Sequence, residues 1–216
     1  MNQTKHEHAY LTELLERYPR LRSQEAAIWR TYEILRDCFE SGGRLLIAGN
    51  GGSAADAEHI TGELMKGFVK KRTLPEALRR QLQQEDEEAG AVLARKLQGA
   101  LPAMALTGHP GLSTAFLNDV DGQLIYAQQL LGYGKPGDVF LAISTSGNSP
   151  NIHYAAVTAR ALGIRVVGLT GRDGGLLARD AETAIIVPEQ ETYKIQELHL
   201  PVYHALCLML EEHFYG

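Results

Sequence analysis

Short apolar runs alternate along this chain with segments whose apolar residues recur at helical spacing. The run RLLIAG, at residues 44–49, is continuously apolar and leads into glycine-rich sequence, which is typical of a parallel strand buried on both faces. Similar runs occur at Ala103 to Leu106, Val139 to Ser144, Arg165 to Leu169 and Ala184 to Val187. The pattern therefore predicts five strands.

Helical periodicity fills the intervals between these runs. The predicted helices are Ala54 to Met65, Leu112 to Leu131, Asn151 to Leu162 and Gly175 to Arg179. Strands that are apolar throughout and alternate with helices favour an α/β fold built on a doubly wound parallel sheet. Because ligands of such sheets collect at the carboxyl ends of the strands, the residues that directly follow each strand are the candidate site.

Further helical segments surround this core. Residues 1–40 contain two predicted helices, and residues 70–99 are strongly charged with leucines at helical intervals, which predicts a mostly solvated helical insertion. After Pro188 the chain predicts one long terminal helix, in which Pro201 costs about 3 kcal/mol unless the helix kinks there or the lost hydrogen bond is replaced. Residues 1–216 are interpreted as a single domain.

Composition and charge exclude several classes of protein. Of the 216 residues 44% are hydrophobic and 22% charged, as in a soluble globular protein. No apolar run approaches the roughly 20 residues that cross a bilayer, and the polar amino terminus lacks the features of a secretory signal, so a cytoplasmic location is expected. A net charge of −5 argues against binding nucleic acid through its phosphates. Cys38 and Cys207 are expected to be buried thiols.

A glycine-rich loop, GNGGSAADAEH, follows the first strand. Glycines let backbone N–H groups approach an anion closely, and the positive end of the following helix adds to the attraction. The candidate phosphate-binding residues in this loop are Asn50, Gly51, Gly52 and Ser53. The loop matches neither GxGxxG nor the Walker pattern, so no nucleotide cofactor is expected. The alternative is an ordinary turn in which Ser53 caps the helix.

A second loop, STSGNSPN, follows the predicted strand that ends at Ser144. Its hydroxyl groups make a compact neutral site for a phosphate dianion. The candidate phosphate-binding residues are Ser144, Thr145, Ser146 and Ser149. The alternative is a hydroxyl-rich turn in which Ser149 caps a helix that has proline in its first turn. Two anion-suited loops after two strands of one sheet weaken that alternative.

Titratable side chains cluster on two of the predicted helices. His59 and Glu63 are four residues apart on the helix after the first loop, and therefore lie within about 40° of each other on one face. Gln196 and His204 are eight apart on the terminal helix and lie within about 80° of each other. A lone histidine on a helix is more often an ordinary surface or core residue than a ligand, but here both faces flank phosphate-type loops.

The motifs AGNGGSAADAEH, ISTSGNSPN, LTGRDGG and IQELH, in that order, resemble the sugar isomerase (SIS) domain family, and within it the phosphoheptose isomerase branch. The resemblance extends from about Arg22 to the carboxyl terminus and is interrupted by the charged insertion. It implies a five-stranded parallel sheet with flavodoxin-like strand order. It also implies a homodimer or homotetramer, of which the tetramer is favoured, and a phosphorylated sugar as substrate.

The resemblance also implies roles for single residues. Glu63 would be the catalytic base and His204 the acid. Zinc or another divalent metal would be held by His59, Glu63, Gln196 and His204, Gln196 would also lie at the substrate, and Asp119 would contact sugar hydroxyls. These donor types are reasonable for zinc, although glutamine is a weak ligand and the sequence has no tight metal-spacing signature.

The chain departs from the pattern of the phosphoheptose isomerases at several positions. Gly67 stands four residues after Glu63, where those proteins usually have arginine, and Tyr193 replaces a family aspartate three residues before Gln196. The 70–99 insertion is also longer than the corresponding family connection. These departures bear most directly on which sugar is used.

Aldose–ketose isomerisation needs few groups beyond these. A proton leaves C1 of a 2-ketose phosphate, a cis-enediol forms, and a proton returns at C2, for which a carboxylate and an imidazole are suited. The leading hypothesis is an isomerase that converts sedoheptulose 7-phosphate into D-glycero-D-manno-heptose 7-phosphate. One alternative is a non-catalytic SIS-domain protein that senses a phosphosugar or binds a replication initiator. Another is an enzyme that cleaves the lactyl ether of an N-acetylmuramic acid phosphate. The pairing of Glu63 with His204 favours the isomerase.

Overall fold

The computed structural model describes residues 3–216, with side chains from residue 6 onward. The strands are Leu45–Ala48 (β1), Ala103–Ala105 (β2), Val139–Ser144 (β3), Arg165–Thr170 (β4) and Thr183–Ile186 (β5). They form one parallel sheet in the order β2-β1-β3-β4-β5. The predicted α/β class, the five-stranded parallel sheet and its flavodoxin-like order are confirmed.

The helices of the described residues are Gln3–Arg17 (α1), Glu25–Glu40 (α2), Gly52–Met65 (α3), Glu76–Glu85 (α4), Glu87–Lys96 (α5), Pro110–Asp119 (α6), Ile125–Tyr133 (α7), Pro150–Ala161 (α8), Gly175–Asp180 (α9) and Thr192–Tyr215 (α10). Short 3₁₀ segments occupy Pro19–Gln24 and Gly122–Leu124. The terminal helix is as long as predicted and continues through Pro201.

The apolar residues of the central strands serve two hydrophobic cores, one on each face of the sheet. In β1, Leu45 and Ile47 pack with α1, α2, α3 and α10, whereas Leu46 and Ala48 pack with α7, α8 and α9. Every residue of β1 and β3 is buried. Burial on both faces explains why these strands are continuously apolar in sequence instead of alternating with polar residues.

The point where the strand order reverses lies between β1 and β3. After β1 the chain passes through α3 to β2 on one side of the sheet, and it later returns to β3 on the other side. The loops that follow β1 and β3 therefore open side by side at the carboxyl edge of the sheet. That edge is where open α/β sheets bind their ligands.

The single helix predicted over Leu112 to Leu131 is wrong in one respect, because the structure divides it into α6 and α7. The break follows Val120, and the Asp121 side chain accepts a hydrogen bond from the Gln123 backbone N–H at 2.8 Å. An aspartate that caps a new helical turn competes with continuation of the previous helix. Apolar spacing carries over the break, so periodicity alone does not detect it.

The charged insertion folds as a hairpin of α4 and α5, as its helical spacing predicts. Within this hairpin Gly90 is the one buried residue of the two helices, and a Cβ added there would collide with the backbone carbonyl of Leu82. The base of the hairpin is closed by an antiparallel bridge between Thr73 and Gln98. The insertion is therefore a solvated excursion with a well-defined base.

The two cysteines, Cys38 and Cys207, are both free and buried, which confirms their interpretation as buried thiols. Burial raises the pKa of Cys38 to about 11 and that of Cys207 to about 12. None of the helices in residues 3–216 combines the length and the apolarity that a membrane span requires.

Candidate active site

A cavity of about 310 Å³ opens at the carboxyl ends of β1 and β3. Its lining consists of Asn50, Gly51, Gly52, Ser53, Ile143, Ser144, Thr145, Ser149, Thr192 and Gln196. All of these side chains are uncharged, so an anion bound here would be held by N–H and O–H groups. We refer to this space as the phosphate cavity. It brings together the predicted phosphate and substrate residues apart from Ser146 and Asp119.

The first wall of the phosphate cavity is the loop between β1 and α3. Gly51 occupies the N-cap position with φ 56° and ψ −119°, a backbone conformation that favours glycine. Ser53 is buried in the first turn of α3, and its N–H donates to the Asn50 carbonyl at 3.0 Å. The alternative in which Ser53 caps the helix is therefore wrong. This loop instead directs the amino end of α3 toward the cavity.

The second wall is the loop between β3 and α8. Ser144 Oγ and Ser149 Oγ lie 3.1 Å apart, and Ser149 occupies the N-cap position of α8 without a side-chain capping bond. Gly147 has φ 66°, and a Cβ there would collide with the carbonyl of Gly174. Ser146 accepts a hydrogen bond from the Asn148 N–H at 3.2 Å. Ser146 therefore supports the turn and does not line the cavity.

The two walls are tied to each other by side-chain amides. Asn50 and Asn151 exchange two hydrogen bonds, of 2.9 and 2.8 Å. Below the first wall, the buried Tyr126 hydroxyl donates to the Gly49 carbonyl at 2.6 Å. These contacts tie the two loops to each other and to α7 through protein groups, which favours binding of a phosphate to a preformed site.

Gln196, on the first part of α10, lies against the first wall. A Cβ added to Gly52 would collide with the Gln196 side-chain amide. Thr192, at the start of the same helix, also lines the cavity and was not predicted from the sequence. The beginning of α10 therefore closes the phosphate cavity, while its next turns lead away toward the titratable cluster.

His59, Glu63 and His204 form a cluster between α3 and α10, which we call the catalytic cluster. His59 Nε2 lies 3.2 Å from Glu63 Oε1, and the rings of His59 and His204 are 5.1 Å apart in an edge-to-face arrangement. The Glu63 side chain is 13% exposed and that of His59 is 42% exposed. The structure thus places the predicted base Glu63, the predicted acid His204 and the second histidine, His59, together.

Asp56 and Tyr203 support His59 from behind. Tyr203 donates its hydroxyl proton to Asp56 Oδ1 at 3.3 Å, and its oxygen lies 2.9 Å from His59 Nδ1. The Tyr203 hydroxyl therefore lies between Asp56 and His59 and orients the His59 ring with Nε2 toward Glu63. Burial raises the pKa of Asp56. Neither residue was predicted from the sequence, although Asp56 shares the helical face of His59 and Glu63.

His204 is held by aromatic rings on two sides. Its ring lies 5.3 Å from Phe68 and 5.1 Å from Tyr203, and its Nε2 is buried without a hydrogen-bond partner among the described residues. Burial, and next the nearby His59, lower the pKa of His204. Burial thus favours the neutral form of the imidazole, whose Nε2 is enclosed without a protein partner among the described residues.

The predicted substrate residue Asp119 lies outside this arrangement, and Lys66, among the basic residues that follow Glu63, contacts the Glu63 carboxylate. Asp119 is exposed at the end of α6, where its Oδ1 accepts from the Asn118 side chain at 2.8 Å, and it does not line the phosphate cavity. Lys66 Nζ contacts Glu63 Oε2 at 2.8 Å. Lys66 therefore supplies a positive charge beside the predicted base, whereas the neighbouring Gly67 has no side chain that could do so. Arg72 does not reach the open site, because its side chain is fully buried.

The predicted metal ligands fit zinc in donor type and not in arrangement. Two imidazoles, a carboxylate and an amide oxygen suit zinc, and the unpartnered His204 Nε2 is a free donor atom. However, no group of three His, Cys, Asp or Glu side chains among the described residues is arranged to hold an ion. His59 pairs directly with Glu63, while Gln196 lies at the phosphate cavity.

The sequence matches the model of the SIS domain over residues 9–92 and 87–171, and the chain belongs to this family. Curated relatives include the phosphoheptose isomerase of Geotalea daltonii, which is 38% identical over 85% of this chain and 82% of the relative. The phosphoheptose isomerase of Akkermansia muciniphila is 34% identical over 94% of both chains. The relatives favour the isomerase hypothesis over the non-catalytic alternative.

Solved structures agree with this assignment. The phosphoheptose isomerase of Francisella tularensis matches with a TM-score of 0.73 and 29% identity, covering 97% of this chain and 98% of that one. The enzyme of Neisseria gonorrhoeae matches with a TM-score of 0.72 and 28% identity, covering 96% and 98%. The fold of this chain is therefore that of the solved phosphoheptose isomerases.

Proposed function

We propose that this chain is a phosphosugar aldose–ketose isomerase that converts sedoheptulose 7-phosphate into D-glycero-D-manno-heptose 7-phosphate. The observation that carries the proposal is the placement of a carboxylate and a neutral imidazole on two helices that both border an uncharged phosphate cavity. The names of the similar proteins supply the substrate class. The phosphate end of the sugar would bind between the loops after β1 and β3.

The proposed chemistry uses one proton-transfer group on carbon and one on oxygen. Glu63 removes a proton from C1 of the ketose while His204 donates a proton to the C2 oxygen, which gives the cis-enediol. Glu63 then returns the proton to C2, and His204 takes the proton of the C1 hydroxyl as the C1 carbonyl forms. A neutral imidazole suits both steps on oxygen, because it can donate at one moment and accept at the next.

Lys66 has a supporting part in this scheme. Its ammonium group is 2.8 Å from Glu63 Oε2, on the side of the carboxylate away from His59. The contact orients the base and leaves Oε1 directed toward His59. Because Lys66 is largely exposed, its contribution is one of orientation and not of a strong local field.

The activity is tested by following sedoheptulose 7-phosphate with the purified protein in deuterium oxide by ¹H NMR. The expected result is an aldose phosphate whose C2 carries solvent deuterium, since an enediol route exchanges the transferred proton. Fructose 6-phosphate and N-acetylmuramic acid 6-phosphate are run in parallel. Release of lactate from the second would favour the ether-cleaving alternative, and binding without turnover of any of these sugars would favour a sensing role.

A divalent metal is a separate part of the proposal. Bound zinc would be held by His59, Glu63, Gln196 and His204, and it would polarise the substrate oxygens. Since the side chains are not arranged as ligands, binding would need His59 to turn away from Glu63. The test is metal analysis of the protein after dialysis against zinc, with His59→Ala as the comparison. Equal zinc content in both proteins would contradict this ligand set.

We also propose that the chain works as a homo-oligomer, with the tetramer favoured. The support is exposed apolar surface at the end of α6, where Leu117 and Val120 are three residues apart and both expose large apolar side chains. Exposed apolar side chains that lie together are typical of subunit contacts. Analytical ultracentrifugation of the wild-type protein and of Leu117→Asp tests this, with dissociation of the variant expected.

A further inference from the structure

A completely buried ion pair lies directly behind the catalytic cluster. Arg72 Nε donates to Glu211 Oε1 at 2.8 Å, and both side chains are 0% exposed. Arg72 follows α3 by seven residues, and Glu211 lies on α10 seven residues after His204. The pair therefore joins the segment that leaves one catalytic helix to the body of the other.

The remaining donors of Arg72 bind the end of α3. Nη1 donates to the Leu64 carbonyl at 2.6 Å and Nη2 donates to the Glu63 carbonyl at 3.0 Å. The last carbonyls of a helix have no partner within it and must be satisfied from outside. One guanidinium thus fixes the backbone of Glu63 itself, and a lysine could not reproduce this fork of three bonds.

Glu211 uses its carboxylate in a similar way. Besides Arg72 it accepts from three consecutive backbone N–H groups, those of Phe68, Val69 and Lys70, at 2.7, 2.8 and 3.0 Å. We call residues 67–72 the strap, because they cross from α3 to the hairpin over α10. The strap carries Phe68, whose ring packs on His204.

Stability alone is a weak reason for this arrangement. Buried ion pairs repay their desolvation only with excellent geometry, and apolar replacements of both partners are often equally stable. Here every hydrogen bond of the pair ends on the backbone of Glu63 or Leu64, on the strap, or on the partner charge. The interactions converge on the elements that carry the base and the acid.

We propose that Arg72 and Glu211 are positioning residues, which fix Glu63 and His204 relative to each other through the end of α3 and the strap. This inference rests on the roles proposed above for Glu63 and His204. Neither Arg72 nor Glu211 touches the substrate. The phosphate cavity lies at the opposite end of α3, so its affinity for phosphate does not depend on the pair.

The test compares Arg72→Lys and Glu211→Gln with the wild-type protein and with Arg44→Lys. Arg44 pairs with the buried Asp138 at the amino ends of β1 and β3, whereas the site lies at their carboxyl ends. This control therefore also weakens an arginine–carboxylate pair, but far from the site. We expect kcat for sedoheptulose 7-phosphate to fall by about 10- to 100-fold in Arg72→Lys and Glu211→Gln, with KM changed less than about threefold. Arg44→Lys is expected to keep the wild-type kcat. All assays are run well below the melting temperature of each variant.

Two results would overturn the positioning role: wild-type kcat in folded Arg72→Lys or Glu211→Gln, or a rise in KM with kcat unchanged. Should Arg72→Lys not fold, the isosteric Glu211→Gln carries the test. Crystal structures of the variants provide a second readout that does not depend on activity. If the pair positions the strap, the rings of Phe68 and His204 lie further apart in the variants than the 5.3 Å of the wild-type protein. An inactive wild-type protein would instead refute the proposed function.

Discussion

The phosphate cavity and the catalytic cluster are built in opposite ways. The cavity is formed by two short loops with uncharged lining, and its main groups are backbone N–H and hydroxyls that each loop supplies locally. The cluster is formed by titratable side chains from α3 and α10, which are about 140 residues apart in sequence. Most of the cavity is therefore encoded locally in two loops, with Thr192 and Gln196 of α10 completing it, whereas the proposed catalytic geometry depends on how two helices are held together.

The largest expected effect comes from replacing Glu63, the proposed base of the catalytic cluster. Glu63→Gln keeps the size of the side chain and removes the carboxylate that takes the C1 proton, so kcat should fall by about 10³-fold or more. The affinity for inorganic phosphate should stay within about twofold, because the cavity contains no part of Glu63. Steady-state kinetics and phosphate titration by calorimetry measure the two effects. A variant that kept a tenth of the wild-type kcat would remove Glu63 from the role of base.

The corresponding change on the cavity side is Gly147→Ala. The added Cβ would collide with the Gly174 carbonyl, and φ 66° is unfavourable for alanine, so the free energy of unfolding should fall by about 3 kcal/mol. Gly42→Ala is the matched control, since Gly42 also has positive φ, 78°, but nothing lies within 4 Å of its Cβ position. Its loss should be only about 1 kcal/mol. Equal losses in urea unfolding would show that the close approach to α9 is unimportant.

The sequence predicts the phosphate cavity, which is formed mainly by local loops, better than the support of the catalytic cluster, which depends on tertiary packing. The strand positions and most of the cavity residues are predicted because they depend on local apolar runs and on glycine- and serine-rich loops. The order of the sheet is predicted only from the resemblance to the SIS family, because strand order is not a local property. The break at Asp121 is missed because apolar spacing continues across it. Ser146, which is predicted to bind phosphate, bonds within its turn and lies outside the cavity lining, because a hydroxyl in a turn can bond to the turn as readily as to a ligand.

The supporting residues of the catalytic cluster could not be selected from the sequence. Asp56 and Tyr203 meet only when α3 and α10 pack together, and Arg72 is one of several basic residues in the strap and the charged insertion. Nothing in the charge pattern distinguishes this fully buried arginine from exposed ones nearby such as Lys71. Only the tertiary packing determines which of these basic side chains is buried in an ion pair.

His199 lies on α10 between the two regions and is buried, so the free energy of unfolding should depend on pH. Burial lowers the pKa of His199 to about 4, and its Nε2 lies 3.2 Å from the Thr170 carbonyl. As pH falls below about 6.5 the unfolded chain takes up a proton that the folded protein does not, so the free energy of unfolding falls, by about 3 kcal/mol at pH 4. His199→Gln should lose less stability between pH 7 and pH 5 than the wild-type protein. Parallel stability curves in urea would contradict this assignment.

Two tyrosines allow the comparison to be made with the same chemical change in each region. Tyr203→Phe removes the hydroxyl between Asp56 and His59, and Tyr126→Phe removes the hydroxyl that holds the Gly49 carbonyl below the first cavity wall. Each should cost about 1 kcal/mol of stability, since each leaves a buried polar group unpaired.

Their kinetic effects should differ. Loss of the Tyr203 hydroxyl leaves His59 free to turn, so kcat should fall by about 3- to 10-fold with little change in KM. Loss of the Tyr126 hydroxyl loosens the loop that binds phosphate, so KM should rise by a similar factor at nearly constant kcat. Such factors correspond to about 1 kcal/mol of transition-state or binding energy. If both variants changed kcat and KM together, the cavity and the cluster would be one coupled site, and the division between local binding and tertiary catalysis would have to be abandoned.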